Sequence, residues 1–450
     1  MDMQRFDDYF SSYVQEVEKF LTYNADEILQ YQKRKIIELI EYAKLYSEFY
    51  RSIYKSINTN FSIEDIPIIS KRDLVDNFDA IISNKEINKQ KLKEYFGVPF
   101  DFDRLLFQSY LAFHTSGSTG EPVNVVWSTE DFAATTANYF VRLTKDLDNL
   151  SNHRILYIGI TDDYIGGNSW AYQLKNYIDV QIETIFTPID ELCRIINIKQ
   201  PTIIMTKPSL LGELARMKGK QLFDIKLEKV IFAGEMIAPQ DKYDIERYFG
   251  VRAHNSYATC ETGPIAYQYD TATEQMEIFR NMVYVELIDE KGQVIHEPYR
   301  MGNITVTSLQ NKTMPILRYN TGDKAFYVNQ NIGQTISYVT GRNTSHFIFY
   351  DKYDNEIKIS EYPFWSLYVV GIMRYQVIQQ SNKMLLVRVQ YIEDLTLNEK
   401  NDVNDKVLQK IRRILNQNAQ SLDIEVRFEE GKIYPDASGK IKITHLFRKG

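Results

Sequence analysis

A short segment rich in hydroxyls and glycines is the part of the chain whose residue types most directly suggest chemistry. It places four hydroxyl side chains and two glycines in one run, and these are Thr115, Ser116, Gly117, Ser118, Thr119 and Gly120. Glycines let a backbone turn tightly so that several N–H groups face one anion, and hydroxyls can donate to phosphate oxygens. The Gly-Lys-Ser/Thr ending of a Walker loop does not follow. The segment therefore indicates a phosphate-binding loop, with a Ser/Gly-rich hairpin turn as the alternative.

The same segment, extended to Glu121 and Pro122, resembles the phosphate-binding loop of the adenylate-forming superfamily of acyl-CoA synthetases, nonribosomal peptide adenylation domains and luciferases. Val123 stands where many members carry a lysine, as is common in the phenylacetate-CoA ligase and CapK-like branch. Residues 66–74, Ile-Pro-Ile-Ile-Ser-Lys-Arg-Asp-Leu, resemble the N-terminal portion of that branch. The resemblance implies that the loop residues from Thr115 to Gly120 bind a nucleotide.

A second segment, residues 255–263, resembles the superfamily's Tyr-Gly-x-Thr-Glu motif. The resemblance implies that Tyr257 stacks on adenine and that Glu261, as a catalytic residue, holds Mg²⁺, which prefers hard oxygen ligands. It also implies nucleotide contacts from Gly234, Glu235, Asn255, Ser256 and Ala258. Ala258 replaces the motif's glycine and Cys260 replaces its threonine, and a thiol is a poor donor to phosphate. A surface loop with one acidic residue is the alternative for Glu261.

Residues 318–323, Arg-Tyr-Asn-Thr-Gly-Asp, resemble the superfamily's Tyr-Arg/Lys-Thr-Gly-Asp motif. The resemblance implies that Asp323 accepts hydrogen bonds from both ribose hydroxyls, which the two oxygens of a carboxylate can do. The alternative is a hairpin turn, since Thr-Gly-Asp is favourable turn chemistry. Residues 341–344 resemble the hinge motif Gly-Arg-x-Asp, which implies a nucleotide contact from Arg342.

Residues 435–441, Pro-Asp-Ala-Ser-Gly-Lys-Ile, resemble the catalytic segment near the C-terminus of the superfamily. The resemblance implies that Lys440 is the catalytic lysine, whose compact ammonium can approach the carboxylate and the α-phosphate. A solvated turn is the alternative for an isolated Ser-Gly-Lys.

The pocket for the acid is predicted by analogy with the family around residues 164–170 and the Gly234 region. The candidate substrate-binding residues are Tyr164, Gly166, Gly167, Trp170 and Gly234. Aromatic rings beside glycines suit a flat or aromatic acid, although a tryptophan before a helix more often serves packing. Asp162 and Asp163 leave an amino acid substrate open.

The composition excludes several other classes of protein. The 450 residues carry 53 basic and 60 acidic side chains, a net charge of −7, without a long basic run, so nucleic acid is not an expected partner. Two cysteines, Cys193 and Cys260, give no disulfide framework. The N-terminus lacks the apolar core of a signal peptide, and the longest nearly apolar run, residues 364–373, is too short for a bilayer. We therefore expect a cytoplasmic protein without a membrane partner.

The hydrophobic pattern predicts an α/β protein. A helix is predicted over residues 33–55, and strands over 154–160, 202–206 and 229–233 alternate with helices, which favours a parallel sheet covered by helices. From about residue 277 the pattern becomes β-rich, with a strand expected at 325–328. We predict a large N-terminal adenylate-forming domain with a β-rich subdomain, residues 1–341. A small mobile α+β domain, residues 342–450, would carry the lysine.

The resemblance implies a two-step reaction. A carboxylate attacks the α-phosphate of ATP, which yields acyl-AMP and pyrophosphate, and a thiol then attacks the acyl-AMP. ATP and Mg²⁺ would be the cofactors. The thiol would come from coenzyme A or from the phosphopantetheine arm of an acyl or peptidyl carrier protein, and the sequence does not separate the two. A degenerate family member that binds nucleotide or acyl-adenylate without turnover is the alternative, with Cys260 as its best support.

Overall fold

The computed structural model describes residues 3–55, 62–115, 121–147, 150–161, 163–164, 169–328, 333–339, 346–351, 353–361, 363–364, 367, 369–392, 395–418, 422–434 and 442–446. The chain divides into two compact units. The large unit consists of Met1–Lys207, Leu222–Met236 and Gly250–Gly341, and the small unit consists of Pro208–Gln221, Ile237–Phe249 and Arg342–Gly450. The predicted division into domains 1–341 and 342–450 stays a prediction.

The helices are α1 (Met3–Phe20), α2 (Ala25–Tyr46), α3 (Glu48–Ile53), α4 (Lys71–Asp76), α5 (Phe78–Ile81), α6 (Lys89–Phe96), α7 (Thr129–Thr144), α8 (Ser169–Leu174), α9 (Ile189–Lys199), α10 (Pro208–Gly219), α11 (Pro239–Phe249) and α12 (Leu397–Asn418). The strands of the large unit are β1 (Tyr110–His114), β2 (Asn124–Ser128), β3 (Arg154–Gly159), β4 (Asp179–Thr184), β5 (Ile203–Thr206), β6 (Lys229–Ala233), β7 (Ala253–Thr259), β8 (Gly263–Tyr267), β9 (Gln275–Ile278), β10 (Val283–Ile288), β11 (Gly302–Ser308), β12 (Tyr319–Ala325) and β13 (Thr335–Ser337). Those of the small unit are β14 (His346–Tyr350), β15 (Glu356–Ser360), β16 (Ile372–Ser381), β17 (Met384–Tyr391), β18 (Glu425–Glu430) and β19 (Thr444–His445).

The predicted helix over residues 33–55 is wrong in its bounds, because the chain breaks at Ser47. This serine is fully buried, ends α2 and caps α3, and its hydroxyl donates to the carbonyl of Ala80 at 3.0 Å. A hydroxyl that bonds outside its own helix competes with helical continuation.

An eight-stranded sheet forms the centre of the large unit, in the order β13-β9-β8-β7-β6-β5-β3-β4. The neighbouring strands β4, β3, β5, β6 and β7 pair in parallel. The strands β8, β9 and β13 extend the sheet by antiparallel pairing. The predicted strands at 154–160, 202–206 and 229–233 correspond to β3, β5 and β6, so the predicted α/β class is confirmed. Parallel strands bring their carboxyl ends to one edge of a sheet, where ligands of such folds bind.

A second, antiparallel sheet has the order β10-β11-β12. The strand predicted at residues 325–328 is wrong: β12 covers Tyr319–Ala325, and Tyr327 makes an isolated bridge to Ile336. The Thr-Gly-Asp segment is therefore part of a strand and not a hairpin turn. The register between β11 and β12 shifts in this segment, and Gly322 has a φ of +79°, which a residue without Cβ adopts at little cost.

The small unit contains the β14–β15 hairpin and a four-stranded sheet of order β18-β17-β16-β19. An apolar stripe is buried on α12, namely Val403, Val407, Ile411, Ile414 and Leu415. These side chains join the buried faces of β16 and β17 in one core. The strands β16 and β17 form an antiparallel hairpin that turns after Ser381.

Candidate active site

Thr115 directly follows β1, at the end of the β1–β2 hairpin where the connecting loop begins. Its N–H donates to the carbonyl of Val123 at 2.9 Å, and its Oγ1 accepts from the N–H of Val123 at 2.9 Å. One residue earlier, the N–H of His114 donates to the carbonyl of Tyr164 at 3.0 Å. Both flanks of the predicted phosphate loop are therefore held by hydrogen bonds. The loop residues Ser116, Gly117, Ser118, Thr119 and Gly120 lie outside the described residues.

Glu261 lies two residues after the end of β7, and its side chain is only 5% exposed. Its Oε1 accepts a hydrogen bond of 2.9 Å from the hydroxyl of Tyr319, the first residue of β12. On either side of it in the chain, the hydroxyls of Thr259 and Thr262 lie 2.8 Å apart. The acidic side chain is therefore directed to the interior and does not belong to a solvated surface loop.

Asp323 lies on β12 and is partly buried. Its Oδ2 accepts a hydrogen bond of 2.9 Å from the hydroxyl of Tyr257 on β7. The same hydroxyl lies 3.4 Å from Oγ1 of Thr321, which itself donates to the carbonyl of Ile304 at 3.0 Å. The structure thus brings together Tyr257 and Asp323, which are 66 positions apart in the sequence.

Arg318, directly before β12, is buried and holds the beginning of that strand. Its guanidinium makes a bidentate ion pair with Glu286, with N–O distances of 3.0 and 2.9 Å. It also donates to the carbonyls of Glu64 and Ile66 at 2.9 and 2.6 Å. Ile69 forms a parallel backbone bridge with Tyr319. The N-terminal segment 64–69 is therefore fixed to the strand that carries Asp323.

The remaining predicted nucleotide contacts surround the end of β6. Ala233 pairs with Ser256 of the parallel strand β7, so that Gly234 and Glu235 follow beside Tyr257. Gly234 has a φ of +81°, and a Cβ added there would meet nothing within 4 Å, so its conformation and not a close contact favours glycine.

On β7 itself, the N–H of Asn255 donates to Oε1 of Gln268 at 3.1 Å. The pairing with β8 shifts in register between Tyr257 and Ala258, where the family motif has glycine. A bulge of this kind redirects side chains and is frequent beside active sites.

Trp170, near the beginning of α8, takes part in an aromatic cluster. Its ring stacks on Tyr139 at 4.5 Å between centroids and meets Tyr157 edge-on at 5.4 Å. Burial raises the pKa of Tyr139 to about 12, partly offset by the Ser256 hydroxyl. Burial also raises the pKa of Tyr157, and the Cys260 thiol adds to this electrostatically. Cys260, one residue before Glu261, packs against the hydrophobic core that contains Tyr139 and Tyr157.

Tyr164 occupies a separate aromatic cluster. Its ring packs against Tyr95, Phe96 and Phe100 at centroid distances between 5.1 and 5.2 Å, and its hydroxyl accepts from Arg104 at 3.1 Å. The side chain is 4% exposed. Its predicted contact with the acid stays a prediction, as does that of Trp170.

Besides the loop residues 116–120, four more predicted residues lie outside the part of the chain that the structure describes: Gly166, Gly167, Arg342 and Lys440. Within the described part, no cluster of three or more His, Cys, Asp or Glu side chains could hold a metal by itself. Mg²⁺ commonly takes one or two carboxylates together with substrate phosphates and waters. Glu261, with one oxygen bonded to Tyr319 and a second oxygen remaining, fits that type of site.

The sequence reasoning missed Tyr319, Tyr139 and Tyr157. Tyr319 stands inside the motif of residues 318–323, but the role of its hydroxyl is seen only in the structure, where it donates to Glu261. Tyr139 and Tyr157 carried no signal beyond their aromatic type.

The central sheet, with Glu261 just beyond β7 and Asp323 within β12 of the neighbouring sheet, has the fold of solved coenzyme A ligase structures. The chain superposes on 2-hydroxyisobutyryl-CoA ligase, solved in the postadenylation state in complex with 2-HIB-AMP, with a TM-score of 0.72. The superposition covers 95% of this chain and 91% of that one at 14% sequence identity, which shows the fold alone. Residues 106–311 match the model of the AMP-binding enzyme family.

Among curated proteins, the chain is similar to phenylacetate-coenzyme A ligases. The relative from Pseudomonas putida is 27% identical over 46% of this chain and 48% of that protein. The relative from Escherichia coli K12 is 25% identical over 52% of this chain and 55% of that protein. The chain thus spans about half the length of the curated relatives it matches. The predicted resemblance to the adenylate-forming superfamily and to its phenylacetate-CoA ligase branch is confirmed.

No helix among the described residues has both the length and the apolar character needed to cross a bilayer.

Proposed function

We propose that this protein activates a carboxylic acid with ATP, forms acyl-AMP with release of pyrophosphate, and then transfers the acyl group to a thiol. The observation that carries the proposal is the convergence of Tyr257, Glu261 and Asp323 through the hydrogen bonds between β7 and β12. Glu261 and Asp323 each follow a tyrosine by four residues, and they come from segments of two different sheets. Together they would provide acceptors for a cation and for a sugar.

The nucleotide would bind with its ribose hydroxyls on Asp323 and its adenine against the ring of Tyr257. Asp323 is partly buried, so its carboxylate can accept hydroxyl donors without first being released from an enclosed core. By its resemblance to the family loop, the segment after Thr115 would bind the phosphates, and its described flanks Thr115 and Val123 are joined by two hydrogen bonds. Glycine-rich turns of this kind concentrate backbone donors on one anion.

Glu261 would hold Mg²⁺, which when bound neutralises charge on the triphosphate. Lys440, by its family resemblance, would place its ammonium beside the α-phosphate as the acid oxygen forms a bond to phosphorus and pyrophosphate leaves. The protein's part in this step is alignment and charge stabilisation, and it requires no nucleophilic side chain. The division into domains 1–341 and 342–450 belongs to the same proposal, since Lys440 would come from the second domain.

The acid would bind beside the cluster of Tyr139, Tyr157 and Trp170. Trp170 and Cys260, which is one residue from Glu261, pack against the hydrophobic core that contains Tyr139 and Tyr157, and the stacked rings would form an apolar wall for the acid. Flat faces of this size favour an aryl or another small organic acid. The curated relatives are named coenzyme A ligases, which favours coenzyme A over a carrier protein as the thiol acceptor.

The proposal is tested by ATP–pyrophosphate exchange with a panel of carboxylic acids that contains aryl, small aliphatic and amino acids. Exchange that depends on one class of acid supports the proposal and identifies the substrate class. Acyl-AMP made with that acid is then offered coenzyme A or a phosphopantetheine-bearing carrier protein. ATP binding without exchange on any acid would instead favour the degenerate member without turnover, and the proposed activity would be rejected.

A further inference from the structure

Two tyrosine–carboxylate hydrogen bonds connect the same two segments in opposite directions. Tyr257 of β7 donates to Asp323 of β12, and Tyr319 of β12 donates to Glu261 just after β7, both at 2.9 Å. In each segment the tyrosine precedes the acid by four residues. Each segment therefore supplies one donor to the other segment's acceptor.

We propose that Tyr257 and Tyr319 are positioning residues that act as a reciprocal pair, holding the ribose acceptor Asp323 and the cation acceptor Glu261 in fixed relative orientation. This inference rests on the proposed function. A carboxylate without a partner rotates about its terminal torsion, and that freedom is lost on ligand binding. A phenol that already donates to one oxygen removes part of that loss while the other oxygen remains an acceptor.

The backbone of both segments explains why such a device is needed. The pairing of β7 with β8 shifts between Tyr257 and Ala258, and the pairing of β11 with β12 shifts between Asn320 and Lys324, a stretch that contains Asp323. Bulges redirect side chains but leave the ladder locally without its regular hydrogen bonds. In the first segment the shift lies between Tyr257 and Glu261, and in the second it includes Asp323. Regular strand pairing therefore does not set the direction of either acid. The cross-connected hydroxyls supply that constraint.

The two hydrogen bonds differ in burial, and this difference bears on how strongly water competes with each of them. Tyr319 is 2% and Glu261 is 5% exposed, whereas Tyr257 and Asp323 are only partly buried. Hydrogen bonds to charged groups weaken as water competes for them. Because Tyr319 donates to Glu261 and Tyr257 donates to Asp323, Tyr319 governs the cation acceptor and Tyr257 governs the discrimination of the ribose.

The test compares Tyr257→Phe and Tyr319→Phe with Tyr327→Phe as the matched control. Tyr327 is also buried in the large unit, but its hydroxyl donates to the backbone carbonyl of Val285 and to neither site carboxylate. Calorimetry gives the affinity for ATP and for 2′-deoxy-ATP and 3′-deoxy-ATP, with and without Mg²⁺. Exchange kinetics give the Mg²⁺ concentration for half-maximal rate. Thermal melting checks that each variant is folded.

We expect Tyr319→Phe to raise the Mg²⁺ concentration for half-maximal exchange, and to reduce the gain in ATP affinity that Mg²⁺ provides, each by about tenfold. Its preference for ATP over the deoxy nucleotides should stay that of the wild type. Tyr257→Phe should reduce that preference by about tenfold and leave the Mg²⁺ dependence unchanged. Tyr327→Phe should change neither ratio.

A double-variant cycle keeps the test decisive even if Tyr319→Phe is destabilised. In a Glu261→Gln background, the additional change Tyr319→Phe should no longer affect the Mg²⁺ dependence, because its target is gone. Equal effects of Tyr319→Phe in both backgrounds, or ratios equal to those of Tyr327→Phe, overturn the positioning role. If the wild type itself neither binds ATP nor exchanges pyrophosphate, the proposed function has failed, which is a different result from unchanged ratios in an active enzyme.

Discussion

Asp131 is a carboxyl group buried at the beginning of α7, and its replacement should change how stability depends on pH. Burial raises the pKa of its carboxyl from 3.8 to about 6, and Glu130 adds to the increase, while bonds to the Ser128 side chain and the Lys312 backbone oppose it. A pKa difference of about two corresponds to about 3 kcal/mol. Between about pH 4 and pH 6 the folded protein holds a proton that the unfolded chain has released, so the free energy of unfolding falls as pH rises.

Asp131→Asn removes this titration. Its free energy of unfolding relative to wild type should therefore rise by up to about 3 kcal/mol between pH 4 and pH 7, and then stay constant. Urea unfolding at half-unit pH intervals measures the difference, with tryptophan fluorescence as the signal, since Trp127 is buried close by in the chain.

Glu130→Gln is the control for Asp131→Asn, because Glu130 precedes it in the same helical turn and is exposed. It removes one negative charge without removing a buried one. If both variants give the same profile against pH, burial of Asp131 is not the cause and the reasoning is refuted.

Three further predictions concern the proposed reaction. Asp323→Ala should weaken ATP binding by about 10- to 100-fold, as ribose hydrogen bonds to a charged acceptor are lost, and unchanged affinity by calorimetry would reject the ribose assignment. Cys260→Thr should raise the exchange rate with little change in melting temperature; a lower rate would mean that the site has adapted to the thiol. Lys440→Ala should slow acyl-AMP formation by about 10²–10³ and spare thioester formation from supplied acyl-AMP, and equal damage to both half-reactions would indicate a role in folding or docking.

Local patterns predicted the elements better than the contacts between them. The continuous apolar runs of β5 and β6 predicted buried parallel strands, because such strands are covered on both faces. The capping box at Ser70 is a signal of the same local kind, since the spacing of Ser70 and Asp73 is visible in the sequence and the N–H of Ser70 donates to Asp73 at 2.8 Å. Such signals arise from residues a few positions apart.

The contacts of the site depend on pairings that no local pattern encodes. Tyr319 reaches Glu261 across 58 positions, and which of the 32 tyrosines faces a carboxylate is decided by how two sheets pack. The break at Ser47 was missed for the same reason, since the hydroxyl's partner is the distant Ala80 carbonyl.

The attachment of segment 64–69 to β12 bears on how small a working fragment of this protein can be. The segment that matches the AMP-binding family, 106–311, contains Glu261 but stops before Tyr319 and Asp323. Extending it to residue 328 would restore those side chains, yet Arg318 would still lack the carbonyls of Glu64 and Ile66 that it binds. A buried guanidinium that keeps Glu286 but loses two carbonyl acceptors destabilises the fold. The shortest fragment that folds by itself and keeps the proposed nucleotide site should therefore begin upstream of residue 64, about forty residues before the segment 106–311.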